Sequence, residues 1–304
     1  MLPAVQTLLS KGIYLGTSSW KYPGWQGWFY TRAYRSQKDF NENCLEEYAE
    51  HFPAVGVDHT YYAWPTQKMF EKYVSQTPGH FRFALKATER ATVLKFPSMP
   101  RYGKDAGKAN PEFLDAAIFK EKFLRPLDSV AHRLAPIMIE FSTFHPGSFQ
   151  SGREFLERLR VFLEALKDEK DFQFSVELRN SAWLRSEYFD LLEPLGVSHV
   201  FNSWTKMPPL EEQLTVAANH KMPSLVSRVL LQPGTRYAEA VEAFAPYDKV
   251  LEPGPALRAS VALLIARALE LKIPAYIFVN NRAEGCSPRT IEAIVEVLQQ
   301  RSLI

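Results

Sequence analysis

Short apolar segments alternate with helix-like segments along most of the chain. Each apolar segment is rich in β-branched or aromatic residues. Several are apolar almost throughout, which is typical of strands that are covered on both faces. The predicted strands are residues 13–19, 54–60, 81–87, 136–142, 172–179, 197–202, 225–231 and 275–280.

Helical periodicity fills most of the intervals between these strands. Phe155, Leu159 and Phe162, for example, recur at the spacing of one helix face. Ser287 and Pro288 predict the start of the last helix, as the N-cap and the first helical residue. The predicted helices are residues 43–52, 66–76, 111–132, 152–167, 183–192, 256–271 and 288–299, with a less regular pattern within 210–219.

Eight strands, each followed by a helix-like segment, predict a single α/β domain over residues 1–304, a (β/α)8 TIM-barrel-like fold with parallel strands. An open, doubly wound sheet is the alternative with the same strand count. No Gly-x-Gly-x-x-Gly and no P-loop follows a strand, which favours the barrel. Residues 93–110 and 232–255 lack periodicity, and we expect long loops there, after the third and seventh strands.

Composition and charge change this picture little. The net charge of +2 is too mild for a dedicated nucleic-acid binder, although a local basic groove is compatible with it. Cys44 and Cys286 lack metal-like spacing and are expected to be reduced thiols of a cytoplasmic protein. The start of the chain does not resemble a signal peptide. The most apolar stretch, residues 259–280, is interrupted by charges and a proline, so no membrane association is expected.

Polar residues occupy the positions that should point into the barrel where the strands end. Alternate residues of a strand share a face. Ile137 and Ile139 should face outward towards the helices, so the side chain of Glu140 should point into the barrel. Burying such groups is costly unless they are paired or used, and the active sites of barrel enzymes gather at this end. The expected mouth residues are Ser18, Trp20, Asp58, Lys86, Glu140, Glu177, Arg179, Asn202, Arg228 and Asn280.

Three of these residues are acidic and three are basic. Equal numbers could form a closed ion-pair network that needs no ligand. A mixed network could also hold a sugar, a phosphate or a carboxylate, because arginine binds oxyanions through paired hydrogen bonds. On this second interpretation, Lys86, Arg179 and Arg228 bind the ligand, together with the polar residues Ser18, Asn202 and Asn280.

A carboxyl group in such a site could serve as a general acid or base. Glu177 is the candidate for this role, with Asp58 or Glu140 as its partner. The seven histidines are scattered without paired spacing, so neither a metal ligand set nor a cofactor is predicted.

Aromatic residues follow the first two strands. Trp20, Tyr22 and Tyr61 belong to this group and are candidate binding residues, because aromatic rings stack on sugars or bases. The alternative is that these aromatic side chains form the packed core of a loop or lid.

Five segments in order resemble one protein family: GTSSWKYPGW, VGVDHTYYAWPT, FRFALKA, VELRNSAW and YIFVNN. They are similar to segments of the YecE-like proteins, also called domain of unknown function 72, and the resemblance covers roughly residues 14–293. The resemblance implies a TIM-barrel-like fold and a shared mouth, and it implies no particular reaction. Its matched positions are Gly16, Thr17, Ser18, Trp20, Tyr22, Asp58, Tyr61, Lys86, Glu177, Arg179, Trp183, Arg228, Asn280 and Asn281.

The chain departs from the usual pattern of that family at three places. Glu140 stands where a glutamine is usual, and Val93 and Gln232 stand near positions where histidines are usual. These differences alter the charge of the mouth and argue against histidine-dependent chemistry.

Three functions therefore stay open. The first is an enzyme that performs acid/base chemistry on a small polar or anionic ligand, such as a sugar or a phosphate ester. The second is a barrel that acts on or binds nucleic acid through the 93–110 loop and the tryptophans. The third is a binding or scaffold barrel with a structural ionic mouth. The sequence predicts no oligomeric state.

Overall fold

Eight parallel strands form one sheet in the computed structural model, which describes residues 1–232 and 234–304. The order of the strands around the sheet is β3-β2-β1-β8-β7-β6-β5-β4. The strands are β1 (Ile13–Thr17), β2 (Ala54–Val57), β3 (Arg82–Leu85), β4 (Ile137–Phe141), β5 (Phe174–Leu178), β6 (Ser198–Asn202), β7 (Leu225–Val229) and β8 (Ala275–Val279). All eight lie within the segments that the apolar pattern predicts, and the (β/α)8 fold class is confirmed.

The sheet curls into a nearly closed barrel whose last seam lies between β3 and β4. Here isolated bridges replace a continuous ladder: the Ala87 amide donates to the Met138 carbonyl at 2.8 Å, and the Ala135 amide donates to the Phe83 carbonyl at 2.9 Å. The other neighbouring strands pair in parallel register, with Glu140 of β4 beside Glu177 of β5.

Helices surround the sheet. They are α1 (Pro3–Ser10), α2 (Gln37–His51), α3 (Gln67–Ser75), α4 (Glu89–Thr92), α5 (Ala116–Phe119), α6 (Gly152–Ala165), α7 (Ser186–Leu192), α8 (Leu210–Ala217), α9 (Tyr237–Phe244), α10 (Pro255–Leu271) and α11 (Ser287–Gln300). None of the helices in the described part of the chain is long and apolar enough to cross a membrane.

The structure corrects two details of the helix prediction. Residues 111–132 do not form one helix: α5 passes into a π-helical turn, Lys120–Leu124, and then into a 3-10 segment, Arg125–Arg133. Pro126 explains the change, since it lacks an amide hydrogen for the α-helical ladder. The N-cap of α11 is Cys286, and the Ser287 hydroxyl instead donates to Oδ1 of Asn281 at 2.7 Å.

Two predicted loops also contain short helical segments. Helix α9 lies within residues 232–255, and a 3-10 segment, Pro100–Asp105, lies within residues 93–110. Helix α1 was not predicted from the periodicity. Its eight residues are too few to show a clear repeat.

Two apolar regions hold the barrel together. The larger one packs the outward faces of the strands against the helices. The smaller one fills the barrel interior below the mouth with Ala54, Ala84, Met138, Val200 and Phe278 among others. In β3, β4 and β6, a polar or charged residue lies two positions beyond an apolar residue of this interior layer. The alternation of strand faces therefore places a polar layer directly above an apolar layer.

Candidate functional site

A cavity of about 430 Å³ opens where the strands end at their carboxyl termini. This size suits a small molecule rather than a folded partner. The cavity is lined by Ser19, Tyr22, Asp58, Tyr61, Tyr62, Lys86, Glu140, Ser142, Arg179, Trp204, Arg228, Leu230, Leu231, Tyr237 and Arg282.

One carboxylate oxygen at the floor of the cavity contacts three cations. Oε2 of Glu140 lies 2.7 Å from Nζ of Lys86, 2.9 Å from Nη2 of Arg179 and 2.6 Å from Nη1 of Arg228. All four side chains are buried or nearly so. The floor therefore contains a dense ion-pair network, as expected from the six charged strand-end residues.

Glu177 belongs to the same ion-pair network but does not line the cavity. Its side chain is fully buried. Oε1 accepts a hydrogen bond from Nε of Arg179 at 3.0 Å, and Oε2 accepts one from Nη1 of Arg228 at 2.7 Å. The carboxylate thus holds both guanidinium groups in place without lining the ligand space.

Asp58 is the most open carboxylate of the group. Its side chain is 37% exposed, and its Oδ1 lies 3.6 Å from Nη2 of Arg228. This is the longest ion-pair distance in the network, so Asp58 retains the freedom to contact a ligand.

The network shifts the proton affinities of its members. Burial alone would raise the pKa of Glu140, but the charges of Arg179, Lys86 and Arg228 outweigh it and hold that pKa well below its usual range. Burial lowers the pKa of Lys86, and Glu140 opposes this effect. Burial also raises the pKa of Tyr22 to about 12, with a smaller contribution from Asp58. At neutral pH, Glu140 is therefore ionised and Tyr22 keeps its hydroxyl proton.

Aromatic rings beside the network are each covered by a cation. Nζ of Lys86 lies 3.9 Å from the centroid of the Tyr61 ring. The Arg179 guanidinium carbon lies 4.0 Å from the centroid of Trp204. Such contacts stabilise both partners and fix the orientation of the planar groups.

Two residues that we expected to bind the ligand from strand β1 do not line the cavity. Ser18 is buried, and its hydroxyl has no hydrogen-bond partner among the described residues. Trp20 packs edge-on against Tyr73 of α3, with ring centroids 5.3 Å apart. It belongs to the apolar core between sheet and helices, which agrees with the loop-core alternative for this aromatic residue.

The side chains of the two predicted asparagines also form hydrogen bonds with the backbone and do not line the cavity. Nδ2 of Asn202 donates to the Leu178 carbonyl at 3.0 Å, and its Oδ1 accepts from the Trp204 amide at 3.3 Å. Oδ1 of Asn280 accepts from the Arg282 amide at 3.0 Å. Both side chains shape the turns that leave β6 and β8. They position the cavity residues Trp204 and Arg282.

Several cavity residues were not predicted, although a signal for some of them was available. Ser142, Trp204 and Arg282 each lie two positions beyond a predicted inward residue. Continuing the strand alternation by one step past each strand end would have found them. Ser19 and Tyr237 come from a loop and a helix whose direction the strand pattern does not determine.

The chain matches a family model over residues 14–303, and the description of that family is protein of unknown function DUF72. The chain belongs to the DUF72 family. Among curated proteins, it is similar to the UPF0759 protein YunF of Bacillus subtilis (strain 168), with 27% identity over 169 residues. The match covers 56% of this chain and about half, 54%, of YunF.

Two solved DUF72 structures share the fold. The DUF72 family protein EF0366 of Enterococcus faecalis V583 gives a TM-score of 0.60 at 17% identity, over 94% of this chain and 97% of that one. The DUF72 family protein TM1631 of Thermotoga maritima MSB8 gives 0.59 at 18% identity, over 95% and 99%. These similarities support the barrel fold of the DUF72 family and carry no information about a reaction.

Proposed function

We propose that this DUF72 barrel is an enzyme that binds a small anionic ligand in its mouth and performs acid/base chemistry on it. The observation that carries the proposal is the excess of positive charge at the cavity. The cations are Lys86, Arg179, Arg228 and Arg282, and the carboxylates of the lining and of its ion-pair network are Asp58, Glu140 and Glu177. The site thus has one more positive charge than negative charges.

Unused hydrogen-bonding capacity in the same groups supports an anion as the ligand. Arg179 uses Nε and Nη2 for carboxylates, and its Nη1 donates no hydrogen bond among the described residues. In the part of the chain that the structure describes, Arg282 has no carboxylate within ion-pair distance. Guanidinium groups with free N–H donors at a cavity wall favour phosphate or carboxylate ligands.

Asp58 is the acid/base residue in this proposal. A proton carrier must reach the ligand and must be able to change its charge. Glu177 has no access to the cavity, and the three surrounding cations keep Glu140 ionised. We assign Glu140 and Glu177 the role of holding Lys86, Arg179 and Arg228 in place. Asp58 is the cavity carboxylate whose only ion-pair contact in the described residues is long.

The experiment has two steps. Calorimetric titration with inorganic phosphate, ribose 5-phosphate and a panel of small carboxylates measures binding at low and at moderate ionic strength, since screening weakens such contacts. The tightest ligand is then incubated with the protein, and its conversion is followed by mass spectrometry. The variant Asp58→Asn should bind the anion severalfold more tightly, because one repelling charge is gone, and should not convert it. Asp171→Asn, at an exposed aspartate outside the cavity, is the control.

Each result decides one part of the proposal. If no anion binds at low ionic strength, the ion-pair network is structural and the proposal is wrong. Binding without conversion would overturn the enzymatic part and leave a binding protein. Conversion that persists in Asp58→Asn would remove Asp58 from the proposed role.

A further inference from the structure

The aromatic side chains at the rim of the mouth point to a narrower class of ligand. Tyr62 is 60% exposed and Tyr237 is 47% exposed. Among the large hydrophobic residues that are exposed in the described part of the chain, these two are the aromatic ones, and both line the same cavity. An exposed aromatic ring gives up the favourable burial of its apolar surface. Two such rings at one cavity indicate a surface that a ligand covers.

Each rim ring is fixed by an arginine. The guanidinium carbon of Arg101 lies 4.9 Å from the Tyr62 centroid, and that of Arg282 lies 4.4 Å from the Tyr237 centroid. Trp204 lies beside Tyr237, with the two centroids 6.1 Å apart. The rim therefore presents preoriented planar groups with positive charge close by, which is the combination that binds a nucleobase together with its phosphate.

Between the rim and the floor, the lining also carries small polar side chains that suit the ribose hydroxyls of such a ligand. They are Asp58, Ser19 and Ser142.

We infer that the ligand is a planar heteroaromatic ring that carries a phosphate, of the class of a nucleoside monophosphate. The phosphate binds the arginines and Lys86 at the floor, and the ring stacks at the rim on Tyr62 or Tyr237. This inference rests on the anion site of the proposed function and adds the identity of the group attached to the anion.

The test compares four probes by calorimetric titration: adenosine 5′-monophosphate, ribose 5-phosphate, adenosine and inorganic phosphate. Adenosine 5′-monophosphate should bind about tenfold more tightly than ribose 5-phosphate, a difference of about 1.4 kcal/mol that one stacked base can supply. Adenosine alone should bind more weakly than the monophosphate, since it lacks the anion.

Two rim variants locate the ring. In Tyr237→Ala and Tyr62→Ala together, the advantage of adenosine 5′-monophosphate over ribose 5-phosphate should fall to less than about threefold. Because this advantage is a ratio of two affinities, an equal change in the affinity for both phosphates does not affect it. Tyr237→Phe combined with Tyr62→Phe keeps the rings and should keep the advantage. Val241→Ala truncates another exposed side chain of α9 and is the control for a general effect on that helix.

The outcomes separate this inference from the proposed function. Equal affinities for ribose 5-phosphate and adenosine 5′-monophosphate would overturn the aromatic ligand and leave the anion site intact. No affinity for any phosphate would overturn both. A short single-stranded oligonucleotide that binds more tightly than the monophosphate would overturn the restriction to a mononucleotide and support a nucleic-acid ligand.

Discussion

Oε2 of Glu140 and Nη1 of Arg228 are 2.6 Å apart, although 88 residues separate them in sequence. Both are buried, and the same Glu140 oxygen contacts two further cations. This carboxylate is thus the shared counter-ion of the floor, and removing its charge would leave positive groups buried and unneutralised.

Glu140→Gln is therefore expected to lower the free energy of unfolding by about 3 kcal/mol, because breaking a buried ion pair from one side is strongly destabilising. Urea denaturation measures the change. Glu164→Gln removes an exposed carboxylate that pairs with Arg160 and should cost less than about 1 kcal/mol. Equal stability of Glu140→Gln and the unmodified protein would show that the floor does not depend on this charge.

The same carboxylate makes the fold sensitive to acid. The folded pKa of Glu140 is below its unfolded value of roughly 4.3. Its stabilising contribution is therefore complete above about pH 4.3 and is lost as the pH falls from there towards the lower folded pKa. Urea denaturation at a series of acidic pH values should show this loss in the unmodified protein. A slope below pH 4.3 that is as steep in Glu140→Gln would assign the acid sensitivity to other groups.

His199 should make the stability of the fold depend on pH in a higher range than Glu140 does. Burial lowers its pKa to about 4, and the ring hydrogen-bonds the Tyr188 hydroxyl at 3.1 Å. Because the folded pKa lies below the unfolded value of roughly 6.5, stability is complete above that pH and falls between about pH 6.5 and pH 4, by an amount on the order of 3 kcal/mol. In His199→Gln the pH dependence in this interval should flatten, whatever the overall stability. An unchanged slope would show that His199 does not titrate with unfolding.

Arg282 offers a test of the anion site that leaves the fold unaffected. It lines the cavity without an ion pair in the described residues, so Arg282→Gln should weaken the binding of inorganic phosphate about tenfold, as expected for one lost charge-assisted contact. The melting temperature of the Arg282→Gln variant should equal that of the unmodified protein. Arg289→Gln is the matched control. Arg289 also stacks on an aromatic ring, with its guanidinium carbon 4.5 Å from the Trp28 centroid, but it does not line the cavity. Equal weakening in both variants would indicate nonspecific attraction.

Gly16 limits the packing of the barrel wall. A Cβ atom at this position would lie 1.9 Å from the Ala54 carbonyl oxygen in the neighbouring strand β2. Gly16→Ala should therefore destabilise the protein by about 3 kcal/mol or more, since the clash is with backbone. Gly79→Ala meets no atom within 4 Å and serves as the control. Thermal unfolding measures both, and a small effect at Gly16 would mean that the strands can move apart.

The sequence predicted the barrel and its charged floor because both depend on strand alternation. Inward and outward positions follow from the period of two, and so Lys86, Glu140 and Arg228 were found. The same rule cannot tell an inward side chain that lines the cavity from one that is covered by its neighbours. Glu177 shares the inward direction of Glu140, yet it is fully buried against the guanidinium groups and does not line the cavity.

The rim was harder to predict for a physical reason. Tyr62 and Tyr237 lie after strand ends, where turns and short helices set the direction of each side chain. Trp20 was expected at the mouth and instead packs in the core with Tyr73. Local sequence does not determine those turns, because tertiary contacts select among them.

The Lys86–Glu140 ion pair also spans the incomplete seam between β3 and β4. Lys86 follows β3 and Glu140 belongs to β4, and few backbone hydrogen bonds join these two strands. The ion pair therefore helps to hold β3 and β4 together at this seam. A ligand that draws Lys86 away from Glu140 must weaken this ion pair and loosen the seam, and by reciprocity a looser seam must bind that ligand more tightly. Ligand binding in the cavity and opening of the seam between β3 and β4 are thus thermodynamically linked through the ammonium group of Lys86.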